Sequence, residues 1–233
     1  MKKTFEIRGE KTVFSWLCAY LGNLFFLTCL FIAIALVSFS LCLVECEVTG
    51  TSMQPTYNSL SGDKHDLVYV NKYDKAYSQG DIVVIETAGG PIIKRILGMP
   101  GDTFDVVYAD NEYVLERNGV VLDEGYILVS NSALVPTYAK NGMNAMMDRW
   151  VDLKERCPEL FNAEGKLVVA ENKVFALGDN RKVSLDSSTY GTFDISQVSG
   201  KVEITKYYSE SEFDFYFNYI MQGKFLYTIL NIF

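Results

Sequence analysis

A serine and a lysine are the residues of this sequence whose types and surroundings point most directly to chemistry. Ser52 lies in the segment 48–56, VTGTSMQPT, two residues after Gly50 and three residues before Pro55. Glycine allows backbone conformations that other residues avoid, and proline fixes the exit from the turn, so the backbone there can approach a substrate closely. A serine hydroxyl becomes a nucleophile only when a base activates it. Because the segment also fits a purely structural turn, the serine needs a partner elsewhere in the chain.

Lys94 is the strongest candidate for that base. Strand-like alternation in the segment IIKRIL divides its residues between two faces: Ile92, Lys94 and Ile96 on one, and Ile93, Arg95 and Leu97 on the other. A lysine between β-branched residues loses hydration, and this lowers its pKa because burial disfavours the ammonium form. A neutral amine can accept a proton from a serine hydroxyl. The alternative is an edge-strand lysine whose amine reaches out to water.

His65 is the alternative base, and it is the single histidine of the sequence. It lies in the polar run GDKHD at 62–66, which is typical of a solvated turn. We predict that His65 is not catalytic, since a histidine in such a turn needs no partner. With one histidine a histidine-based zinc site can hardly be assembled, and we predict neither a metal nor a cofactor.

A third polar segment follows an apolar strand at 174–177. Its sequence, LGDNRKVSLDSSTYG at 177–191, concentrates hydrogen-bonding side chains at Asp179, Asn180, Arg181, Ser184, Asp186 and Ser187. Such a density can build a rigid polar scaffold, or it can form merely a long turn. None of the three elements decides a function by itself.

The elements that would position these residues begin with a predicted membrane helix. No Asp, Glu, Lys or Arg occurs at 12–44, and about 20 apolar residues suffice to cross a bilayer as a helix. Four basic residues precede this segment, whereas Glu45 and Glu47 follow it, and a basic flank stays in the cytoplasm. The alternative is a cleaved signal peptide. The length of the apolar core and the lack of a small-x-small site argue against it.

We therefore expect a cytoplasmic segment at 1–20, a single-pass transmembrane helix at 21–44 and an extracellular domain at 45–233. The formal net charge of −8 argues against a nucleic-acid partner, because neutralising phosphates needs a surplus of Lys and Arg. Hydrophobic residues make up 49% of the chain, which excludes a disordered protein. Of the five cysteines only Cys157 lies deep in the exported part, so its apolar core must hold the domain without a disulfide framework.

The exported part predicts a mainly β domain. Runs with a period of two, separated by turn residues, predict strands at 67–73, 81–86, 92–97, 103–108, 112–117, 173–177 and 201–207. Asn118-Gly119, between EYVLER at 112–117 and VVL at 120–122, indicates a tight hairpin.

Two stretches interrupt the β pattern. Apolar residues at helical spacing predict a short amphipathic helix at 144–156, within a long insertion at about 130–165: Met143, Met146, Met147, Trp150 and Val151. The tail at 209–233 opens with a Ser-x-x-Glu capping pattern and is densely aromatic. We interpret the tail as an interfacial or core-packed amphipathic helix, with a second membrane span as the alternative.

Together and in this order, the segments resemble the type I signal peptidases, which are membrane-anchored endopeptidases with a Ser/Lys dyad. The resemblance covers most of the chain: the anchor, GTSMQPT at 50–56, GDIVV at 80–84, IKRILGMPGD at 93–102 and GDNRxxSxDS at 178–187. It implies an exported catalytic domain of coiled antiparallel sheets that removes signal peptides from precursor proteins at Ala-x-Ala-like sites. The partners it implies are these precursors and the lipid bilayer.

The resemblance also implies a role for each matching residue. Ser52 would be the nucleophile, Lys94 the general base, and Ser184 would hydrogen-bond the lysine amine and orient it. Five residues would support the site: Gly50, Met53, Arg95, Asp179 and Asp186. The Ser52 N–H would bind the oxyanion. Glycine at position 50 resembles the Gram-positive branch, so the second oxyanion donor is not visible in the sequence.

Two departures from the family pattern bear on substrate choice. The chain reads Asp186-Ser187-Ser188 where the family usually has Asp-Ser-Arg, which removes the expected partner of Asp186. The ion pair of Arg95 with Asp179 remains available. The second departure is the insertion at about 130–165, where the family often has a shorter segment.

Three functions are therefore compared. The first is a general signal peptidase, and the second is a dedicated paralogue for pilin or other surface-subunit precursors. The third is a non-catalytic assembly factor on the same scaffold. The presence of both Ser52 and Lys94 argues against the third, since a scaffold role needs neither residue.

Overall fold

The computed structural model of the chain describes residues 13–58, 65–109, 112–128, 135–208, 211 and 214–215. The chain divides into two compact units, Met1–Leu41 and Cys42–Phe233. The first is helical, and the second contains both β-sheets and the predicted active-site residues.

The helix α1 (Val13–Cys42) forms the first unit. Its stretch Phe14–Ile34 is the one helix of the described residues that is long and apolar enough to cross a membrane. The helix begins before the predicted boundary at 21 and ends two residues before Val44. Leu43 and Val44 instead belong to a strand and pair with Asn71 and Val70. The Leu43 side chain is buried.

Eleven strands form the second unit within the described residues. In chain order they are β1 (Leu43–Glu47), β2 (Leu67–Asn71), β3 (Ile82–Thr87), β4 (Gly90–Gly98), β5 (Thr103–Ala109), β6 (Glu112–Arg117), β7 (Val120–Val121), β8 (Leu167–Val168), β9 (Lys173–Leu177), β10 (Phe193–Asp194) and β11 (Val198–Lys206). Seven of them build one sheet in the order β1-β2-β11-β3-β4-β9-β10, and four build a second in the order β7-β6-β5-β8. The pairings between neighbouring strands are antiparallel, which confirms the predicted fold class.

The seven predicted strands are all present, with ends that shift by a few residues. Asn118 and Gly119 have φ angles of 53° and 81°, as the hairpin between β6 and β7 requires. The hairpin signal had implied β7, whereas the sequence did not reveal β1, β8 and β10. Of these, β8 and β10 have only two residues each, which is too short for a period of two to be visible.

The predicted helix in the insertion is present and longer than expected. The helix α3 spans Val135–Arg156, after a single turn α2 at Gly125–Leu128. Met146, Trp150 and Leu153 are buried in the core cluster shared with Phe104 and Phe175. Val151, which the helical pattern had grouped with the apolar face, is 45% exposed.

Three short helical turns and part of the tail complete the described chain. The helix α3 ends before Pro158, as predicted, and a 3-10 turn follows at Pro158–Leu160. The turn α4 (Ser187–Tyr190) follows β9, and a second 3-10 turn lies at Ile195–Gln197. In the tail, Phe215 is buried and stacks on Tyr69 at 5.7 Å between ring centroids. The remaining tail predictions lie outside the described residues.

Candidate active site

Ser52 lies on a turn that its neighbours hold against the larger sheet. Met53 is completely buried in a cluster with Val68 and Val70 of β2. Backbone hydrogen bonds from Gln54 to Thr51 and from Tyr57 to Met53, at 3.2 and 3.0 Å, close the turn. The anchored methionine therefore fixes the position of the serine that precedes it, which gives the predicted Met53 a structural role.

Asn58 shapes the backbone before the serine, and sequence reasoning missed it. Its Nδ2 donates to the carbonyl oxygens of Val48 and Gly50, the latter at 3.0 Å. Its backbone N–H donates to Asp66 Oδ2 at 2.6 Å, and Asn58 has a φ of 54°. Asparagine tolerates this left-handed conformation, but a single asparagine in a polar stretch gives no signal of such a role.

Lys94 is the hydrogen-bond partner of Ser52. Its Nζ lies 2.9 Å from Ser52 Oγ and also donates to the carbonyl oxygen of Ile93 at 2.7 Å. Only 2% of Lys94 is exposed, so the alternative of an amine that reaches out to water is wrong. The structure brings together the two residues that the sequence proposed as nucleophile and base.

The environment of Lys94 shifts the equilibrium between ammonium and neutral amine towards the neutral amine. Burial lowers the pKa of Lys94 below its ordinary value, while the charges of Asp186 and Asp179 oppose this shift. No ion pair of Lys94 is found among the described residues. The direction of the pKa shift therefore agrees with the expectation from the apolar neighbours of Lys94 in the sequence.

Arg95, on the opposite face of β4, holds Asp179. Its Nε and Nη2 donate to the two carboxylate oxygens of Asp179 at 2.9 and 2.6 Å. Thr56, from the turn of the nucleophile, donates its hydroxyl to the same carboxylate. The predicted ion pair is present, and it joins three segments that are distant in the sequence.

Gly178 and Asn180 join the third polar segment to the nucleophile. The Asn180 N–H donates to the Ser52 carbonyl oxygen at 2.9 Å, and its Nδ2 donates to the Thr51 carbonyl oxygen at 3.1 Å. A Cβ atom on Gly178 would lie 2.2 Å from Ser184 Oγ and 2.5 Å from the Ser52 carbonyl oxygen. Glycine is required there because no side chain fits. The segment is thus a polar scaffold and not merely a long turn.

Ser184 is buried beside this scaffold, but it does not bind the lysine in this structure. Its Oγ has no hydrogen-bond partner among the described residues, although its backbone N–H donates to the Asn180 carbonyl oxygen at 3.1 Å. The expected hydrogen bond to Lys94 is not formed, and the lysine amine contacts Ser52 Oγ and the Ile93 carbonyl oxygen.

Asp186 is buried and accepts hydrogen bonds from its own segment. Its Oδ2 accepts from the Gly178 N–H at 2.8 Å, and its Oδ1 accepts from the Ser188 N–H at 3.0 Å and the Ser188 hydroxyl at 2.8 Å. Ser188 thus occupies the position of the missing arginine and is itself a partner of the carboxylate.

Within the described structure, His65 forms no hydrogen bond with Ser52. The partner of the Ser52 hydroxyl is Lys94. Within the described residues, no group of His, Cys, Asp and Glu is suited to hold a metal ion.

The edge of β4 beside the dyad is open. On one edge β4 pairs with β9, and this pairing begins only at Arg95. Along the same edge, no strand of the described residues pairs with the part of β4 that precedes Arg95. On the other edge, the N–H and C=O groups of Ile96 bond to Asp81 and Gly80 of the segment before β3. Because these directions alternate along a strand, the backbone groups of Ile93 face the open edge.

Comparisons with known proteins find signal peptidases. The family described as Signal peptidase, peptidase S26, matches residues 21–207. Signal peptidase I S of Bacillus subtilis (strain 168) is 32% identical over 164 residues, 69% of this chain and 74% of the relative. Signal peptidase IB of Staphylococcus aureus (strain MRSA252) is 28% identical over 173 residues, 73% of this chain and 81% of the relative. A crystal structure of a signal peptidase I from Enterococcus faecalis V583 shares 27% identity, covering 54% of this chain and 96% of that chain with a TM-score of 0.35.

The match over most of its length shows that the chain belongs to the signal peptidases of peptidase family S26. It is a membrane-anchored serine endopeptidase that removes signal peptides, and its substrates are precursor proteins that carry them. The predicted function is confirmed at this level, and the alternatives of a dedicated paralogue and of an assembly factor are not favoured. The helix α1 fits a single-pass anchor.

Proposed function

We propose that Ser52 is the nucleophile and Lys94 the general base of signal-peptide cleavage in this protein. The observation that carries the proposal is the 2.9 Å separation of Lys94 Nζ and Ser52 Oγ at a lysine that is almost fully buried. That distance suits proton transfer between the two atoms, and the lowered pKa of Lys94 supports the neutral amine that a base requires.

The reaction is acyl transfer in two steps. Neutral Lys94 takes the proton of the Ser52 hydroxyl, and Oγ attacks the carbonyl carbon of the scissile peptide bond. The lysine ammonium then protonates the leaving amine, and the acyl group remains on Oγ as an ester. In the second step Lys94 takes a proton from water, the hydroxide attacks the ester, and Ser52 regains its proton from the ammonium.

The Ser52 N–H is the proposed oxyanion donor. No hydrogen bond from this N–H is found among the described residues, so it is available for a negatively charged oxygen. The carbonyl oxygens of Gly50 and Ser52 are already bound by Asn58 and Asn180. These contacts fix the peptide groups on both sides of the donor.

The substrate would lie extended along the open edge of β4. The Ile93 N–H and C=O face this edge and can pair with a peptide by β-augmentation. The carbonyl oxygen already accepts from Lys94 Nζ, and its second lone pair can accept from a substrate. Arg95 with Asp179, and Asp186 with Gly178, hold the surrounding segments. Ser184 keeps the role of orienting Lys94 in the substrate complex, where its buried hydroxyl would gain the partner that a buried polar group requires.

The membrane orientation is part of the same proposal. Four basic residues precede the apolar segment and two acidic residues follow it, which supports a cytoplasmic N-terminus and an extracellular catalytic domain. The anchor would confine enzyme and precursor to one bilayer surface and so raise their effective concentration. The lipid bilayer is then a working partner of the enzyme, and labelling of an N-terminal tag in sealed vesicles of known orientation tests this topology.

The test of the dyad uses the full chain in detergent micelles with purified precursors. Wild-type protein should release mature protein, and Ser52→Ala and Lys94→Ala should each reduce the rate to background. Both variants should keep the wild-type unfolding temperature. Wild-type turnover in either variant would reassign the mechanism.

A general signal peptidase is favoured over an enzyme dedicated to pilin or other surface-subunit precursors, and the insertion that contains α3 is the feature that makes this comparison of substrates a test. A panel of general secretory precursors and surface-subunit precursors, each at equal concentration, decides between them. Cleavage confined to the surface subunits would favour the dedicated enzyme, whereas comparable kcat/KM values across the panel would exclude it.

A further inference from the structure

Arg149 of α3 contacts the polar loop 178–188 with all three nitrogens of its guanidinium. Its Nε donates to Ser188 Oγ at 3.1 Å, and its Nη2 donates to the Arg181 carbonyl oxygen at 2.6 Å. Its Nη1 lies 3.5 Å from the Lys182 carbonyl oxygen. The insertion helix thus binds the loop that supports the dyad.

The contact continues from Ser188 to the floor of the active site. Because the Ser188 oxygen accepts from Arg149, its hydroxyl hydrogen is directed at Asp186 Oδ1, at 2.8 Å. The other oxygen of Asp186 accepts from the Gly178 N–H at 2.8 Å. Gly178 in turn lies against the Ser52 carbonyl oxygen. Ser188 and Asp186 are both buried, so this chain of hydrogen bonds is shielded from water.

The charges around Lys94 involve the same chain of hydrogen bonds. Lys94 is faced by two carboxylates, Asp186 and Asp179. Asp179 forms a direct ion pair with Arg95, whereas Asp186 has no ion pair among the described residues. Arg181 acts on Asp186 through its charge, and Arg149 reaches Asp186 through the hydroxyl of Ser188.

We propose that Arg149 is a positioning residue for the general base Lys94: it holds Ser188 and Asp186 in place and compensates the Asp186 carboxylate. This inference rests on the Ser52–Lys94 dyad proposed above. It makes the insertion helix part of the machinery of the site, in addition to any contact with substrates. Arginine suits the position because its planar fork reaches several acceptors at once.

The helix does not need Arg149 in order to pack. Met146, Trp150 and Leu153 are buried on the same helix, and Trp150 meets Phe175 edge-on at 6.1 Å between ring centroids. Replacing Arg149 by methionine, which has a similar unbranched stem, should therefore leave the fold intact while it removes every donor of the guanidinium.

The test compares rate–pH profiles of the full chain in detergent micelles, with a short Ala-x-Ala peptide as substrate. In Arg149→Met we expect kcat/KM at neutral pH to fall about tenfold, the size expected when hydrogen bonds from a charged donor are lost. The acid limb should also move to higher pH, because removing a positive charge stabilises the protonated form of Lys94. Arg149→Lys keeps the charge and should show a smaller shift of the limb.

Lys154→Met is the matched control, since Lys154 lies on the same helix and its Nζ donates to the Gly165 carbonyl oxygen, away from the loop. It should keep the wild-type profile. An Arg149→Met profile with an unmoved acid limb would overturn the inference, whether its rates are normal or uniformly reduced, because a merely structural loss scales the rate at every pH. Ser52→Ala separates the two proposals. If it is inactive while Arg149→Met has an unmoved limb, only the Arg149 inference fails.

Discussion

The two faces of strand β4 carry two adjacent basic side chains, Lys94 and Arg95, whose pKa values are shifted in opposite directions. On one face, burial lowers the pKa of Lys94. On the other face, burial opposes the charge of Arg95, but hydrogen bonds and attraction from Asp179 hold its pKa above the ordinary value. Both side chains are largely removed from water: Lys94 is 2% exposed and the Arg95 side chain 13%.

The difference lies in what the nearby carboxylates bind. Asp179 accepts from Arg95 and Thr56, and Asp186 accepts from Gly178 and Ser188. Both carboxylates act on Lys94 through their charges but form no ion pair with it among the described residues, and burial of a lysine without such a pair shifts its pKa downwards. One face of the strand holds a base, and the other holds a structural ion pair.

The largest effect is expected for Lys94→Met. Cleavage should fall by a factor of at least about 10⁴, because a nucleophile and its base act as a unit. The unfolding temperature should stay the same or rise, since the variant removes a buried cation that has no ion-pair partner. Peptide cleavage and thermal unfolding of the full chain measure the two effects.

The gain in stability should also depend on pH with a defined sign. The pKa of Lys94 is lower in the native state than in the unfolded chain. The loss of folding free energy caused by burying the ammonium is therefore largest below the native pKa, and it decreases as pH rises towards the pKa of the unfolded chain. The stability difference between Lys94→Met and wild type should shrink as pH rises through this window. A difference that grows with pH would contradict a depressed lysine pKa.

The next effect in size is expected for Arg95→Met. Removing one partner of a buried ion pair leaves the other charge unpaired, which lowers the free energy of unfolding by about 3 kcal/mol. Denaturant unfolding of the full chain in micelles measures this loss. The matched control is Lys173→Met, whose partner Asp194 is 50% exposed, and which should change stability by less than about 1 kcal/mol. Equal losses of unfolding free energy in Arg95→Met and Lys173→Met would contradict the structural role of the buried Arg95–Asp179 pair on this face of β4.

The rate–pH profile should reveal the neutral lysine. Because only the unprotonated amine is a base, kcat/KM should rise about tenfold per pH unit below the pKa of Lys94 and level off in the mildly alkaline range. In Arg95→Met the same limb should move to higher pH, since Asp179 would then face Lys94 without its own cation. A profile that is highest at acid pH and falls through neutrality would refute the neutral-lysine mechanism.

The smallest effect is expected for His65→Ala. Ser52 bonds to Lys94 and not to His65 in the described structure, so kcat/KM should stay within about twofold of wild type and stability within about 0.5 kcal/mol. A loss of activity comparable to that of Lys94→Met would restore a histidine base.

Local patterns in the sequence were sufficient for the seven predicted strands and for the faces of β4. A period of two fixes which neighbours share a face, so Lys94 and Arg95 were assigned to opposite sides without knowledge of the sheet order. The helix within the insertion was found by its spacing of Met146 and Trp150, although its start at Val135 was not. The boundary of α1 was misplaced because Leu43 and Val44 are equally suited to a membrane helix and to a buried strand.

Contacts between distant segments were decided only by the tertiary structure. Thr56, Arg95 and Asp179 meet at one carboxylate, and Arg149 reaches Ser188, but no local period relates such positions. The same holds for Ser184, which the tertiary structure buries without a hydrogen bond to Lys94. The sequence by itself determines which side chains face together along one strand or helix, because backbone geometry repeats over a few residues. Which of them meet across the fold depends on how the sheets and helices pack, and that packing is set by the whole core.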